Sequence, residues 1–470
     1  MLQIYEKRFI FAENLHNMKP NTVILVGILF MLSLSCQKND KQLITQPLEQ
    51  NEGLRQIPVE EALATLNEFL QANKGDLLET KSGRPREIVS VSPYYGSHKG
   101  AQTETRAVNE SVDSIPNAYL VNFGDGEGFA VLGANTAVAE IVALTENGQI
   151  EDDLTVIFRD IHESYENNDP DDQQIDTVGY YCVEDDDFYS AAATNAEFVS
   201  ECIRSAVDCR FEMGDDEGGL NSPPLTIKEP LLNISWGQED PYNKYCNRRN
   251  LAGKQKSAFT GCSATAMAMI VAHNEYPQTL IINGETLDWV GMKKKTLARD
   301  LTSKGKDDAA RLIGSIYNFV NKIAQPEFTL ITPEQIKKRM QGFGYTNVEK
   351  HCASDFTYSM KKATSAMLAD NKPVFISAIP KNWKYGHSWV IDGAKYSSTR
   401  SNTYLLHFNF GWEGLSNGYF STSCLNPTKA EEYDDHSNKS SKSYAYSWHF
   451  RLITYDVPTD HCTGTIDYMY

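Results

Sequence analysis

Apolar and polar positions along this chain change period several times, and each change marks an element. Val59 to Leu70 places its apolar residues at helical spacing and predicts an amphipathic helix. Residues 76–117 carry little apolar weight and read as extended or loose chain. Two apolar runs, 118–123 and 129–133, flank Gly124-Asp125-Gly126-Glu127-Gly128 as a hairpin, and 141–145 supplies a further strand. From Cys262 small and apolar residues continue without a breaker to Tyr276-Pro277, an apolar helix entered through Gly261. Helical period returns over 307–324 and 333–343, with Gly342-Phe343-Gly344-Tyr345 as a stop. Three β-rich runs close the pattern, at 373–377, 387–393 and 404–410. The class is α+β: a small helix-plus-antiparallel-sheet domain precedes a larger one.

Length and charge support that division. A chain of 470 residues has room for two domains. Residues 229–470 carry 28 Lys and Arg against 23 Asp and Glu, so the whole negative excess of a chain at −18 lies before residue 229. An acidic segment of that kind would dock on a mildly basic neighbour; equally, acidic surface keeps an exported protein soluble. The balance argues against nucleic acid as a partner. Val23 to Leu32 is an apolar core of about ten residues after Lys19, too short for a membrane span and suited to an export signal, with Met18 a candidate initiator. It ends in Leu32-Ser33-Leu34-Ser35-Cys36, similar to a bacterial lipoprotein signal in which Cys36 takes the lipid; plain secretion is the alternative. The expected organisation is a signal over 1–36, a tether over 37–56, an acidic domain over 57–217, a linker and processing region over 218–228, and a second domain over 229–470.

Candidate chemistry lies in that second domain. Cys262, in the first turn of an apolar helix, faces unpaired backbone N–H groups and the positive end of the helix dipole, which favour a thiolate. His387, at the start of a strand far downstream, is the candidate base. Taken singly, each has a plainer reading, a small buried residue in an Ala-rich helix and a strand-end histidine held by backbone. His273 lies eleven residues after Cys262, about 16 Å along the helix and out of reach. His407, on a strand with Asn409, is the weaker rival to His387. The nine cysteines show no metal spacing, and no metal or cofactor is expected. Cys182, Cys202, Cys209, Cys246, Cys352, Cys424 and Cys462 are available for disulfides, with no pairing assignable.

Four blocks together resemble the streptopain family of secreted cysteine peptidases: Trp236-Gly237-Gln238-Glu239-Asp240-Pro241-Tyr242-Asn243, Gly261-Cys262-Ser263-Ala264-Thr265-Ala266, Gly386-His387-Ser388-Trp389-Val390-Ile391-Asp392-Gly393 and Asn409-Phe410-Gly411-Trp412-Glu413-Gly414. The resemblance implies a papain-like peptidase domain, protein or peptide substrates, and an N-terminal domain acting as an inhibitory propeptide. It implies Cys262 as nucleophile with His387 as a thiolate–imidazolium pair, and Gln238 beside the Cys262 backbone N–H as the oxyanion hole. Asn409 would orient the imidazole and Trp412 would shield that contact, against plainer readings as a turn amide and a core Trp. Phe410 stands where family members carry Trp, and Ser377 where streptopain has Gln, which bears on substrate recognition more than on the dyad. A lipid anchor in an outer membrane, or release outside the cell, would follow from Cys36. Two other readings stay open, a different Cys–His acyl-transfer enzyme and a surface lipoprotein that binds proteins without catalysis.

Overall fold

The computed structural model describes residues 55–73, 86–96, 115–157, 198–200, 202–204, 206–207, 225–251, 254–293, 301–320, 323–324, 329–353, 356, 358–380, 386–396, 404–425 and 448–467. All belong to the unit Asn51–Tyr470. The export signal, Cys36, most of the tether, the 208–217 end of the expected acidic domain and the 218–224 part of the linker lie outside the described residues.

An antiparallel sheet of ten strands runs through the molecule. In chain order the strands are β1 (Ile88–Tyr94), β2 (Ala118–Phe123), β3 (Phe129–Gly133), β4 (Ile141–Thr145), β5 (Thr346–Ala353), β6 (Val374–Pro380), β7 (His387–Tyr396), β8 (Tyr404–Asn409), β9 (Gly418–Ser421) and β10 (Trp448–Asp456). Their order across the sheet is β1-β2-β3-β4-β9-β8-β7-β6-β10-β5. The hairpin of β2 and β3 forms as its Gly-rich turn predicts, closed by Phe123 N–H to the Gly128 carbonyl at 3.0 Å. Part of the weakly apolar 76–117 stretch is the edge strand β1. Strand β10 was not singled out by the sequence, yet it inserts between β5 and β6.

The N-terminal strands and the later ones share this sheet, because β4 pairs with β9 in the register Gly418↔Thr145, Tyr419↔Leu144, Phe420↔Ala143. A Cβ at Gly418 would lie 2.3 Å from the Leu144 carbonyl oxygen, so glycine is what lets the two strands meet. Helix α1 (Val59–Ala72) buries Ala62, Leu66, Phe69 and Leu70. They pack with Tyr119, Val121, Leu132 and Ile141 of the N-terminal strands in a satellite core that also takes in Leu405 and Tyr419. Strands β1 to β4 thus belong to the same sheet as the later strands and, with helix α1, to the same unit.

Helix α2 (Cys262–Asn274) is the central element of the larger domain. Every residue from Ser263 to Ala272 is buried, which suits a helix apolar on all sides. It packs against β6 and β7 and against the helices α3 (Ser303–Phe319) and α4 (Pro333–Gly342). Thr302 caps α3 through the Gly305 N–H, and a reciprocal Thr332–Gln335 box with Pro333 in the first turn starts α4. The segment entering this domain is stitched to β7: Lys228 and Ala394 exchange both backbone hydrogen bonds at 2.8 Å, and Leu231 N–H donates to the Asp392 carbonyl at 2.9 Å.

Candidate active site

Cys262 opens α2 because Gly261 precedes it with φ of 81°, a left-handed turn that aims the chain into the helix. A Cβ on Gly261 would also lie 2.6 Å from the Thr329 carbonyl oxygen. Cys262 is a free thiol, partly exposed, with no bridge to another cysteine.

The four sequence blocks converge on this turn. Thr260 N–H donates to the Gln238 carbonyl at 3.1 Å, and Glu413 N–H donates to the Trp236 carbonyl at 3.1 Å. The Gln238 backbone is thereby set beside the residues that lead into α2. From the other side, the Ser263 hydroxyl meets the Ser388 hydroxyl at 2.8 Å. The groups of Ser388 oppose the effect of burial on the Cys262 thiol, so the strand that begins with His387 starts beside Cys262.

His387 is buried, and its Nε2 lies 3.0 Å from the Phe410 carbonyl oxygen. A carbonyl only accepts, so Nε2 carries the proton and donates; in the neutral ring Nδ1 then holds the lone pair a base requires. Aromatic rings surround the imidazole: Trp412 at 4.3 Å between centroids, Trp389 stacked at 6.0 Å, and Phe410 at 5.9 Å. Trp412 thus lies against the His387 ring.

Asn409 does not take the role expected of it. Its Nδ2 donates to the Ile234 carbonyl at 2.8 Å and its Oδ1 accepts from the Gly411 N–H at 3.2 Å, which spends the amide on holding the turn. Orientation of the imidazole passes to the next residue's backbone, a group with no signature in sequence.

The protonation states also depart from the expected thiolate–imidazolium pair. Phe198, from the N-terminal part of the chain, sits edge-on to His387 at 5.2 Å and to Trp389 at 5.4 Å. Burial lowers His387 to about 3, with the Phe410 carbonyl opposing that only in part. Burial also raises the Cys262 thiol, against the hydrogen bonds of Ser388 and Ser263. In this arrangement burial disfavours the charged form of each group.

The rival histidines are occupied elsewhere. His407 Nδ1 lies 2.6 Å from Asp392 Oδ1 and its Nε2 lies 3.2 Å from Glu146 Oε1. His273 Nε2 meets the Asn371 carbonyl near the far end of α2.

Comparison with known proteins bears on the same stretch. A model described as the Peptidase C10 family matches residues 236–420, which include all four blocks. The thiol protease/hemagglutinin PrtT of Porphyromonas gingivalis is 26% identical over 232 residues, covering 42% of this chain and 24% of that protein. Streptopain of Streptococcus pyogenes is 23% identical over 344 residues, covering 66% of this chain and 75% of that one. Among solved structures, a prointerpain A fragment from Prevotella intermedia aligns at 17% identity with a TM-score of 0.46, covering 79% of this chain and 100% of the fragment. The matched part therefore spans about a quarter of PrtT and three quarters of streptopain.

Proposed function

Residues 236–420 match the Peptidase C10 family, and from that premise we propose that the chain is a cysteine peptidase of that family, an exported endopeptidase made as an inactive precursor. The observation that carries the precursor reading is Phe198. It comes from the segment before the 218–228 linker, and it packs on His387 while burial disfavours the charged form of both reacting groups. Withdrawal of that cover after cleavage would readmit water and let the thiol proton pass to Nδ1 of His387.

The chemistry proposed is acyl transfer to sulfur. Cys262 thiolate attacks the scissile carbonyl; Gln238 and the Cys262 backbone N–H at the start of α2 receive the oxyanion; the imidazolium gives its proton to the departing amine and leaves a thioester. Water, deprotonated by His387, then releases the acid. Phe410's carbonyl holds the ring through both steps, and Trp412 keeps that hydrogen bond dry.

The processed enzyme would begin before Lys228, since Lys228 to Leu232 are bound to β7. Cys36, outside the described residues, is the proposed lipid attachment point, and the N-terminal domain the intramolecular inhibitor. Expression of the wild type should give a shortened form whose first residue lies between Ser222 and Lys228 and which cleaves denatured casein. Cys262→Ala should remain full-length and inactive. Full activity in Cys262→Ala would overturn the assignment.

A further inference from the structure

The backbone of Trp236-Gly237-Gln238 is pinned at three successive carbonyls, each from a different place in the chain. Trp236 accepts from the Glu413 N–H at 3.1 Å, Gly237 from the Thr265 hydroxyl at 3.4 Å, and Gln238 from the Thr260 N–H at 3.1 Å. Two of these donors are backbone groups that almost any residue would present. The third depends on the side chain of Thr265.

That side chain is out of keeping with its helix. Thr265 is the only polar residue between Ala264 and Ala272, a run buried throughout. A buried hydroxyl needs a partner, and a helical threonine can find one at the carbonyl three or four residues back. Here the hydroxyl reaches instead to Gly237 and to the Thr260 hydroxyl, 2.8 Å away. A hydroxyl has one proton and a carbonyl only accepts, so Thr265 donates to Gly237 and Thr260 donates to Thr265. Thr260 is thereby tied twice, by its hydroxyl to Thr265 and by its N–H to Gln238. The methyl of Thr265 faces the fourth block, where a Cβ on Gly411 would lie 3.1 Å from it. Both threonines are 0% exposed, so water does not compete for these bonds.

We propose that Thr265 is a positioning residue for the oxyanion hole: by holding the Gly237 carbonyl it fixes the backbone from which the Gln238 side chain projects, next to the turn that opens α2. The proposal rests on the reading of Cys262 as nucleophile and Gln238 as oxyanion donor. Such a donor works because it is in place before the charge forms, so slack in its backbone costs turnover rather than substrate binding.

Thr265→Val keeps the shape and the methyl and removes the hydroxyl. The processed enzyme, matured where necessary by tagged wild type that is then removed, should lose about tenfold in kcat on a peptide substrate with KM little changed, against about a hundredfold for Gln238→Ala. Two thiol reagents separate positioning from general loosening. A peptide aldehyde takes the Cys262 sulfur at its carbonyl carbon, and the carbonyl electron pair moves onto the oxygen that the hole would hold. Iodoacetamide is attacked at a saturated carbon and loses iodide, with no oxyanion. Aldehyde affinity should therefore fall about tenfold in Thr265→Val while the alkylation rate stays where it is. Thr265→Ser should restore the affinity, and in a Gln238→Ala background Thr265→Val should cost nothing more.

An aldehyde affinity that does not move, that moves together with alkylation, or that falls equally with and without Gln238 overturns the proposal. If Thr265→Val does not fold, Thr265→Ala, which drops the same hydroxyl, decides in its place. Gln238→Ala with full turnover and full aldehyde affinity removes the oxyanion donor and the clamp with it. Casein cleavage by the processed wild type separates this from the peptidase reading. A wild type that leaves casein uncut, yet whose aldehyde affinity still falls in Thr265→Val, sinks the endopeptidase and leaves the clamp; an active wild type with an unchanged Thr265→Val sinks the clamp only.

Discussion

His407 should make the attachment of the N-terminal domain dependent on pH. The ring is buried between Asp392, on the strand that begins with His387, and Glu146, which follows β4. Burial alone would lower its basicity, but Asp392 and then Glu146 more than offset that and raise it to about 9. An unfolded histidine sits at about 6.5. The folded value is the higher one, so the contribution is fully present below about pH 6.5, declines above it, and is gone once pH passes about 9.

The shift of about 2.5 units at 1.36 kcal/mol each is on the order of 3 kcal/mol, a large share of a typical domain's stability. Urea unfolding of the Cys262→Ala chain, which cannot cut itself, would be followed at pH 6, 8 and 10 beside a His407→Gln partner in the same background. The difference between the two should shrink by roughly 3 kcal/mol from pH 6 to pH 10 as the imidazolium is lost. Curves that stay parallel across that range would refute the charge assignment, whatever their absolute spacing.

Other outcomes follow from single contacts. Phe198→Ala removes a buried ring whose truncation costs about 3–5 kcal/mol in a core; if that ring is the cover, alkylation of Cys262 in the uncut chain should rise at least about tenfold, and an unchanged rate in a folded variant would contradict it. Asn409→Ala should lower thermal stability, with about 1–3 kcal/mol for each backbone group at Ile234 and Gly411 left unpaired. Its pH–rate midpoint for casein cleavage should stay where it is, because the imidazole is held by Phe410; a shifted midpoint would return Asn409 to the catalytic group. Gly418→Ala forces a Cβ to within 2.3 Å of Leu144's carbonyl and should loosen the β4–β9 seam, read as faster hydrogen exchange at Tyr419 and Phe420.

Local pattern was enough for much of this molecule. Helix α2 is visible as an apolar run behind a glycine, and β2, β3, β6, β7 and β8 as β-rich runs bounded by turns. Cys262 and His387 stand out because the residues around them form recognisable blocks, and Gln238 and Trp412 are candidates from the same blocks. These are features carried by neighbours along the chain.

What sequence could not reach depends on groups that are distant in the chain or carry no side-chain signature. The imidazole is held by a backbone carbonyl at Phe410, which any residue would present, while the amide of Asn409 is taken by Ile234, far back in the chain. A thiolate–imidazolium pair is reasonable for a cysteine at a helix start, yet Phe198 packs on the imidazole and burial disfavours the charged form of both groups. The β4–β9 seam and the Asp392–His407–Glu146 cluster likewise join segments far apart in the chain. Spacing along the polypeptide singled out the candidate side chains; burial and long-range hydrogen bonding, which exist only once the chain has closed on itself, set their surroundings and their partners.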